Sequence, residues 1–291
     1  FSAPARDVAG GLFAVCLVAL ATSPGRADVS LPPVFSDHMV LQRDVAVPVW
    51  GTAAAGERVT VTFRGISATG VAGADGRWRV ALGPFAAGGP DTLTVAAGTT
   101  IEVRDVLVGE VWVGSGQSNM QGSVAGYVKN DDRLAAAAAA APFARIRLVK
   151  ANAPWQQATP EHVAAFSALL MSFGLQLERD LDVPVGLMLG AVGGTPSGAW
   201  LSEEALVADA ACQAQIAAYA ATFDQLLQAY EQTTLPRWRK DAEAARDQGK
   251  PEPKRPPPPD RPGLVRNQRP GFLYTAHIRP FIPFAIRGVL W

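Results

Sequence analysis

Between Leu31 and about Val103, apolar residues recur at every second position. Val59, Val61 and Phe63 alternate with Thr60 and Thr62, and Trp78, Val80 and Leu82 alternate with Arg77, Arg79 and Ala81. Leu93 with Val95, and Ile101 with Val103, repeat the pattern. A period of two with one apolar face predicts strands half buried against a core. Ala55-Gly56, Ala74-Asp75-Gly76, Gly88-Gly89-Pro90-Asp91 and Gly98 separate them with turn chemistry. About seven short strands in about 75 residues predict a small β-sandwich over 28–105.

After Val103 the pattern changes. Val106-Leu107-Val108, Val111-Trp112-Val113 and Val185-Gly186-Leu187-Met188-Leu189 are near-continuous apolar runs, as in strands covered on both faces. Ile146-Arg147-Leu148-Val149 adds a further strand. Val163, Phe166, Leu170, Phe173 and Leu177 are spaced by three and four, which predicts one amphipathic helix from Pro160 to Leu181. A second helical stretch runs from about Ser202 to Tyr230. Strands alternating with helices imply an α/β layer with a mostly parallel sheet over 106–291. The segment 235–270, with four consecutive prolines at Pro256–Pro259, reads as an exposed insertion loop. Phe284 to Leu290 reads as a buried strand. Phe1 in place of a methionine, and Trp291 directly after that strand, are read as marks of a C-terminally truncated fragment.

Arg6, the apolar run Gly10 to Ala21 and the small residues up to Ala27 describe a secretory signal peptide over 1–27, and so an exported protein. The alternatives are a membrane anchor or an N-terminal core helix; the run is short of the about 20 residues that span a bilayer. The 26 basic and 26 acidic residues give no electrostatic case for nucleic acid or an anionic membrane. Two cysteines, Cys16 and Cys212, exclude a disulfide scaffold and a cysteine-ligated zinc site. Cys212 is expected as a small buried side chain on a helix.

Two stretches carry chemistry. In Gly114-Ser115-Gly116-Gln117-Ser118-Asn119-Met120 a buried strand ends in small residues, and Ser118 sits where a helix begins. A hydroxyl there lies at the carboxyl edge of the sheet, where α/β folds bind ligands; a plain helix N-cap serine is the other reading. Gly190-Ala191-Val192-Gly193-Gly194-Thr195-Pro196 follows another buried strand, and its glycines let backbone approach a substrate. An ordinary strand-to-helix turn is the alternative.

These residues resemble the sialate O-acetylesterase family, a branch of the SGNH (GDSL-like) hydrolases. The matching segments are Gly116-Gln117-Ser118-Asn119-Met120, Gly193-Gly194-Thr195-Pro196 with Ala199-Trp200, Leu31-Pro32-Pro33-Val34-Phe35-Ser36-Asp37-His38-Met39-Val40-Leu41-Gln42, Val47-Pro48-Val49-Trp50-Gly51, Pro184-Val185-Gly186-Leu187 and Arg287-Gly288-Val289-Leu290-Trp291. The resemblance implies a flavodoxin-like α/β hydrolase domain preceded by the β-sandwich. It also implies hydrolysis of acetyl esters on sugars without metal or other cofactor. Ser118 matches the nucleophile, and Gly193 or Gly194, the latter favoured, matches the oxyanion glycine. Gln117 is neutral and would orient the turn. Asn119 would cap it, and Trp200 would stack on a sugar or pack a helix. The family's third oxyanion residue, an asparagine, and its Asp-x-x-His base segment would lie beyond Trp291. Of the three histidines, His38 reads as a turn residue, His162 as a solvated first-turn residue and His277 as a weak candidate base. The implied partner is an acetylated sugar or glycan, with no nucleic acid and no membrane contact after signal cleavage. The rival readings are a non-catalytic carbohydrate-binding protein, favoured by the absent base, and a lipase or thioesterase on the same fold.

Overall fold

The computed structural model describes residues 28–264 and 270–291. The signal segment and Cys16 lie outside the described residues. Strands β1 (Val40–Gln42), β2 (Val47–Thr52), β3 (Arg58–Phe63), β4 (Ile66–Val71), β5 (Arg77–Leu82), β6 (Gly88–Ala96) and β7 (Thr100–Gly116) come first. β5 alternates strictly between exposed and buried positions, so Trp78, Val80 and Leu82 face the core as their spacing predicts. The two-stranded sheet β2-β5 packs on the larger sheet that contains β4-β3-β6-β7. Val49, Val61, Phe63, Leu93 and Val95 fill the space between them.

The Gly88–Asp91 segment is not a turn between strands. It belongs to β6, with register shifts on either side of Asp91 where the glycines and Pro90 disturb the ladder. β7 likewise runs unbroken through the change of pattern at residue 105. Its first part pairs antiparallel with β6, and Leu107 to Gly109 pair in parallel with β1. Its last part lies in parallel between two later strands, β10 (Val185–Ala191) and β11 (Gly288–Leu290). One 17-residue strand therefore serves both the N-terminal sheets and the α/β layer.

After β7 come the short helices α1 (Ser118–Gln121) and α2 (Val124–Tyr127), then α3 (Asp132–Ala139), β8 (Phe143–Lys150) and β9 (Gln156–Ala158). The predicted helix from Pro160 to Leu181 is two helices, α4 (Pro160–Ala165) and α5 (Ala168–Leu181). The break follows from hydrogen bonding: Ser167 Oγ accepts the Leu170 N–H at 3.1 Å as the cap of α5, and the Phe166 carbonyl accepts the Val124 N–H. Beyond β10 lie α6 (Glu203–Ala208) and α7 (Ala210–Ala229), separated at Asp209, whose side chain caps α7 through the Cys212 N–H. Cys212 is half-exposed rather than buried.

The insertion is only partly a loop. Leu235–Asp247 forms helix α8, joined to α7 by the π-helical turn Tyr230–Thr234. The proline run that follows is extended and lies along these helices. Tyr219, Tyr230 and Trp238 donate to the carbonyls of Asp260, Pro256 and Pro253 at 2.8–3.0 Å; prolines lack the N–H that a helical ladder needs, so carbonyls of this extended run are left to accept from outside it. The last apolar run is also shorter as a strand than predicted. Phe284 turns into an aromatic group with Phe35, Trp50 and Trp155, so only Gly288–Leu290 pairs, and Val289 is exposed.

His38 sits in a turn at φ +71, and its Nδ1 lies 2.7 Å from Asp105 Oδ2. Asp105 also accepts from the buried Arg147 at 3.0 Å and from Gln157 at 3.2 Å. Burial alone would raise the Asp105 pKa, but the hydrogen bonds from His38 and Gln157 and the Arg147 charge outweigh it and hold the carboxyl below its usual value. A depressed carboxylate contributes stability above its unfolded pKa and loses it as pH falls through the lower folded value. Asp105→Asn is expected to cost about 2 kcal/mol at pH 7, the scale of hydrogen bonds to a charged group. The difference from the parent should shrink below about pH 4. Denaturant melts at pH 7 and pH 3 check this, and an equal loss at both would refute it.

Candidate active site

β7 and β10 are parallel neighbours in register, with Ala191 opposite Gly116. Their carboxyl ends therefore lie side by side, and the Val192 N–H donates to the Gly116 carbonyl at 3.1 Å. Small residues let the layers close on this point. A Cβ on Gly114 would come within 2.8 Å of both Leu170 Cδ2 and Met120 Sδ. Ser115 Oγ is buried and donates to the Gly190 carbonyl at 2.9 Å. Gly116 leaves the strand at φ +119, which a side chain would resist.

Gln117 occupies the cap position before α1, but its side chain caps nothing. Ser118 is the first helical residue, so its hydroxyl is not spent as an N-cap. A four-residue helix can bury one side, and Met120 supplies it, 5% exposed against Ser167 and Leu170. Gln117, Ser118 and Asn119 are consequently turned outward. Their side chains make no hydrogen bond among the described residues. Asn119 does not act as a cap in this conformation.

The turn after β10 packs on this helix. A Cβ built on Gly193 would lie 3.5 Å from both Cα and Cβ of Ser118, so a side chain at 193 would fill the space between the turn and the serine. The Gly193 N–H donates to Gln121 Oε1 at 2.7 Å. Gly194 follows at φ +68 and is exposed. Thr195 Oγ1 donates to the Val192 carbonyl at 2.7 Å and accepts the Trp200 indole N–H at 3.0 Å. Trp200 is 8% exposed and meets Trp291 edge to face, ring centroids 5.7 Å apart. It packs the turn, and Trp291 lies close to Gly116. A largely apolar cavity of about 430 Å³ runs beside the strand ends past Ser115, Trp200, Tyr274 and Trp291.

Ser118, Gly193 and Gly194 are thus brought together, with Gln117 and Asn119 on either side of the serine and Trp200 behind the glycine turn. The histidines are not brought to it. His38 is bound to Asp105, and His162 Nδ1 lies 2.9 Å from the Gln157 carbonyl oxygen. His277 lies in the turn Tyr274–Ile278 with its ring centroid 6.1 Å from that of Trp200, and burial lowers its pKa, favouring neutral imidazole. Among the described residues none of the three hydrogen-bonds Ser118. No group of three or more metal-ligating side chains occurs among the described residues, and no described helix is long and apolar enough to cross a membrane. Reasoning from sequence did not single out Gln121 or Trp291. Gln121 directly follows the serine motif, three residues after Ser118, which is the one available signal for it.

Residues 108–233 match the family model described as "Carbohydrate esterase, sialic acid-specific acetylesterase". The human sialate O-acetylesterase is 34% identical over 205 residues, which are 60% of this chain and 39% of that protein. The rat sialate O-acetylesterase is 30% identical over 227 residues, covering 68% of this chain and 42% of that protein. The crystal structure of a carbohydrate acetylesterase from Xanthomonas citri superposes with a TM-score of 0.64 at 29% identity, over 91% of this chain and 51% of the other. The chain therefore spans about two-fifths of the length of the curated relatives it matches.

Proposed function

We propose that this chain, whose residues 108–233 match the sialic acid-specific acetylesterase family model and which has the mixed α/β fold of SGNH-like hydrolases, is a member of the sialate O-acetylesterase family and carries the nucleophile half of a serine esterase that removes acetyl groups from carbohydrates. The observation that carries this reading is that the glycine turn at Gly193 lies beside Ser118 at the paired ends of β7 and β10, a single added Cβ reaching the serine, with the serine side chain exposed and making no hydrogen bond among the described residues.

In this reading Ser118 Oγ attacks the acetyl carbonyl carbon and its proton passes to a histidine base. The base, and the carboxylate that orients it, are assigned to the part of the family's length that this chain does not span. Backbone N–H groups of Ser118 and Gly194 hold the tetrahedral oxyanion. Gly194 is the glycine favoured by the family resemblance, and the neighbouring Gly193 N–H is accepted by Gln121 Oε1. One such donor lowers the barrier by roughly 3–4 kcal/mol. The intermediate collapses with departure of the sugar alcohol, which takes the proton from the histidine, and water then hydrolyses the acetyl-enzyme. Gln117 and Asn119 are assigned to the sugar side, while Trp200 packs behind the glycine turn. The apolar run before Ala27 supports export, which would bring the enzyme to extracellular or periplasmic glycans.

An acyl-length series on one sugar alcohol tests the substrate class. In the complete gene product, acetyl esters are expected to be cleaved about 100-fold faster in kcat/KM than octanoyl esters, about the discrimination that rejection of a long chain by a confined acyl site supplies. A rate that rises with chain length would replace this reading by a lipase or thioesterase.

A further inference from the structure

We propose that Gln121 is a positioning residue of this centre: its side-chain oxygen tethers the Gly193–Gly194 turn to the helix that carries Ser118. The inference rests on the reading of Ser118 as nucleophile. Gln121 lies three residues after Ser118, nearly one helical turn on, so its side chain rises on the same side of α1. From there Oε1 accepts the Gly193 N–H at 2.7 Å. The partner is a backbone donor, so the amide must present its oxygen. A Cβ on Gly193 would sit 2.8 Å from that oxygen and 3.5 Å from Ser118 Cβ, so the glycine is enclosed between the two side chains of α1.

The turn has other anchors, but they fix it to different elements. Val192 is held by Gly116 at the end of β7, and Thr195 binds back to Val192 and takes the Trp200 indole. Among the described residues, the Gln121 bond is the side-chain bond between the turn and α1. Without it, this side-chain bond between the Gly193 backbone and the helix that carries the nucleophile is lost. An oxyanion donor acts only where it is aimed at the developing charge, so a small drift of this turn weakens transition-state binding more than substrate binding.

Gln121→Met keeps the length of the side chain and removes the acceptor; Gln121→Glu keeps an oxygen. Gln121 is exposed, so neither change disturbs the core. In the Met variant the Gly193 amide is expected to exchange with solvent about tenfold faster by NMR, while the Glu variant stays within threefold of the parent. On a chromogenic acetyl ester, the complete gene product carrying Gln121→Met should lose about tenfold in kcat with KM within twofold, and Glu should restore kcat to within threefold. Unchanged Gly193 exchange in the Met variant overturns the tether. Faster exchange with an unchanged kcat, in a protein that Ser118→Ala inactivates, overturns the positioning role. If Ser118→Ala keeps its rate, the serine reading itself fails and takes the catalytic part of this inference with it.

Discussion

Ser118→Ala in the complete gene product is expected to reduce acetate release from an acetylated sugar by about 10⁴-fold or more, the scale of removing the nucleophile from a serine triad. The loss should appear in kcat, because the acetyl-enzyme can no longer form, and whatever activity remains comes from backbone donors and substrate binding. Stability should not follow. The hydroxyl is exposed, it makes no hydrogen bond among the described residues, and the first position of α1 accepts alanine without strain. The melting temperature is therefore expected to stay within about 1 °C, since surface changes away from special features are usually worth less than about 0.5 kcal/mol. A loss below tenfold would mean that Ser118 does not carry the reaction. A loss accompanied by a large fall in melting temperature would mean that the serine serves the fold. Trapping of radiolabelled acetyl on the parent, and its absence from the alanine variant, gives a second readout that does not depend on turnover.

Gly109→Ala is expected to destabilise the protein by about 4 kcal/mol or more, near the upper end for single substitutions. Gly109 lies where β7 passes from the N-terminal sheets into the α/β layer; it is the last residue paired with β1, and the pairing with β10 begins at Glu110. A Cβ there would overlap the Pro184 carbonyl oxygen and lie 2.6 Å from its carbon. That carbonyl cannot swing away, because it accepts the Glu110 N–H at 2.9 Å and β10 begins at the next residue. Relief would require moving β10, and with it the turn that touches Ser118. The next residue adds to the constraint: Glu110 is buried and held by Arg43 at 2.7 Å, with Arg287 at 3.7 Å on its other oxygen. Gly56→Ala is the control, since its φ of +78 carries the left-handed penalty but nothing lies within 4 Å of the added methyl. It should cost only about 1 kcal/mol. Denaturant melts of the two variants decide the matter, and equal losses would refute the steric argument.

The sequence was most informative where one local rule acts alone. Alternation at Val59–Phe63 and Trp78–Leu82 gave strands with the correct buried faces, because a strand has only two faces and one of them is covered. The continuous apolar runs at 111–113 and 185–189 gave buried parallel strands, because a strand covered on both faces has no polar side. The small-residue turns after those strands pointed to one shared edge. They also carried a family resemblance that the comparisons with known proteins support.

Elsewhere the periodicity was legible but the boundaries were not. The spacing from Val163 to Leu177 suits a single helix, yet Ser167 and the Phe166 carbonyl find better partners in a cap and in Val124, and the helix divides. Proline-rich composition predicted a loop over 235–270, but residues 235–247 hold no proline after Pro236 and continue as α8, with the prolines laid back along it.

What the chain by itself determined was the kind of layer, the position of the two turns and the identity of the residues on them. Only the tertiary structure decided that β7 is one strand serving both layers, that Trp200 is packed behind the glycine turn, and that Gln121 holds the glycine beside the serine. Each of these depends on contacts between residues far apart in sequence: Gln121 with Gly193, Trp200 with Trp291, Gly109 with Pro184. Periodicity and turn chemistry report only on neighbours within a few positions, so they fix which residues point inward but not what those residues meet.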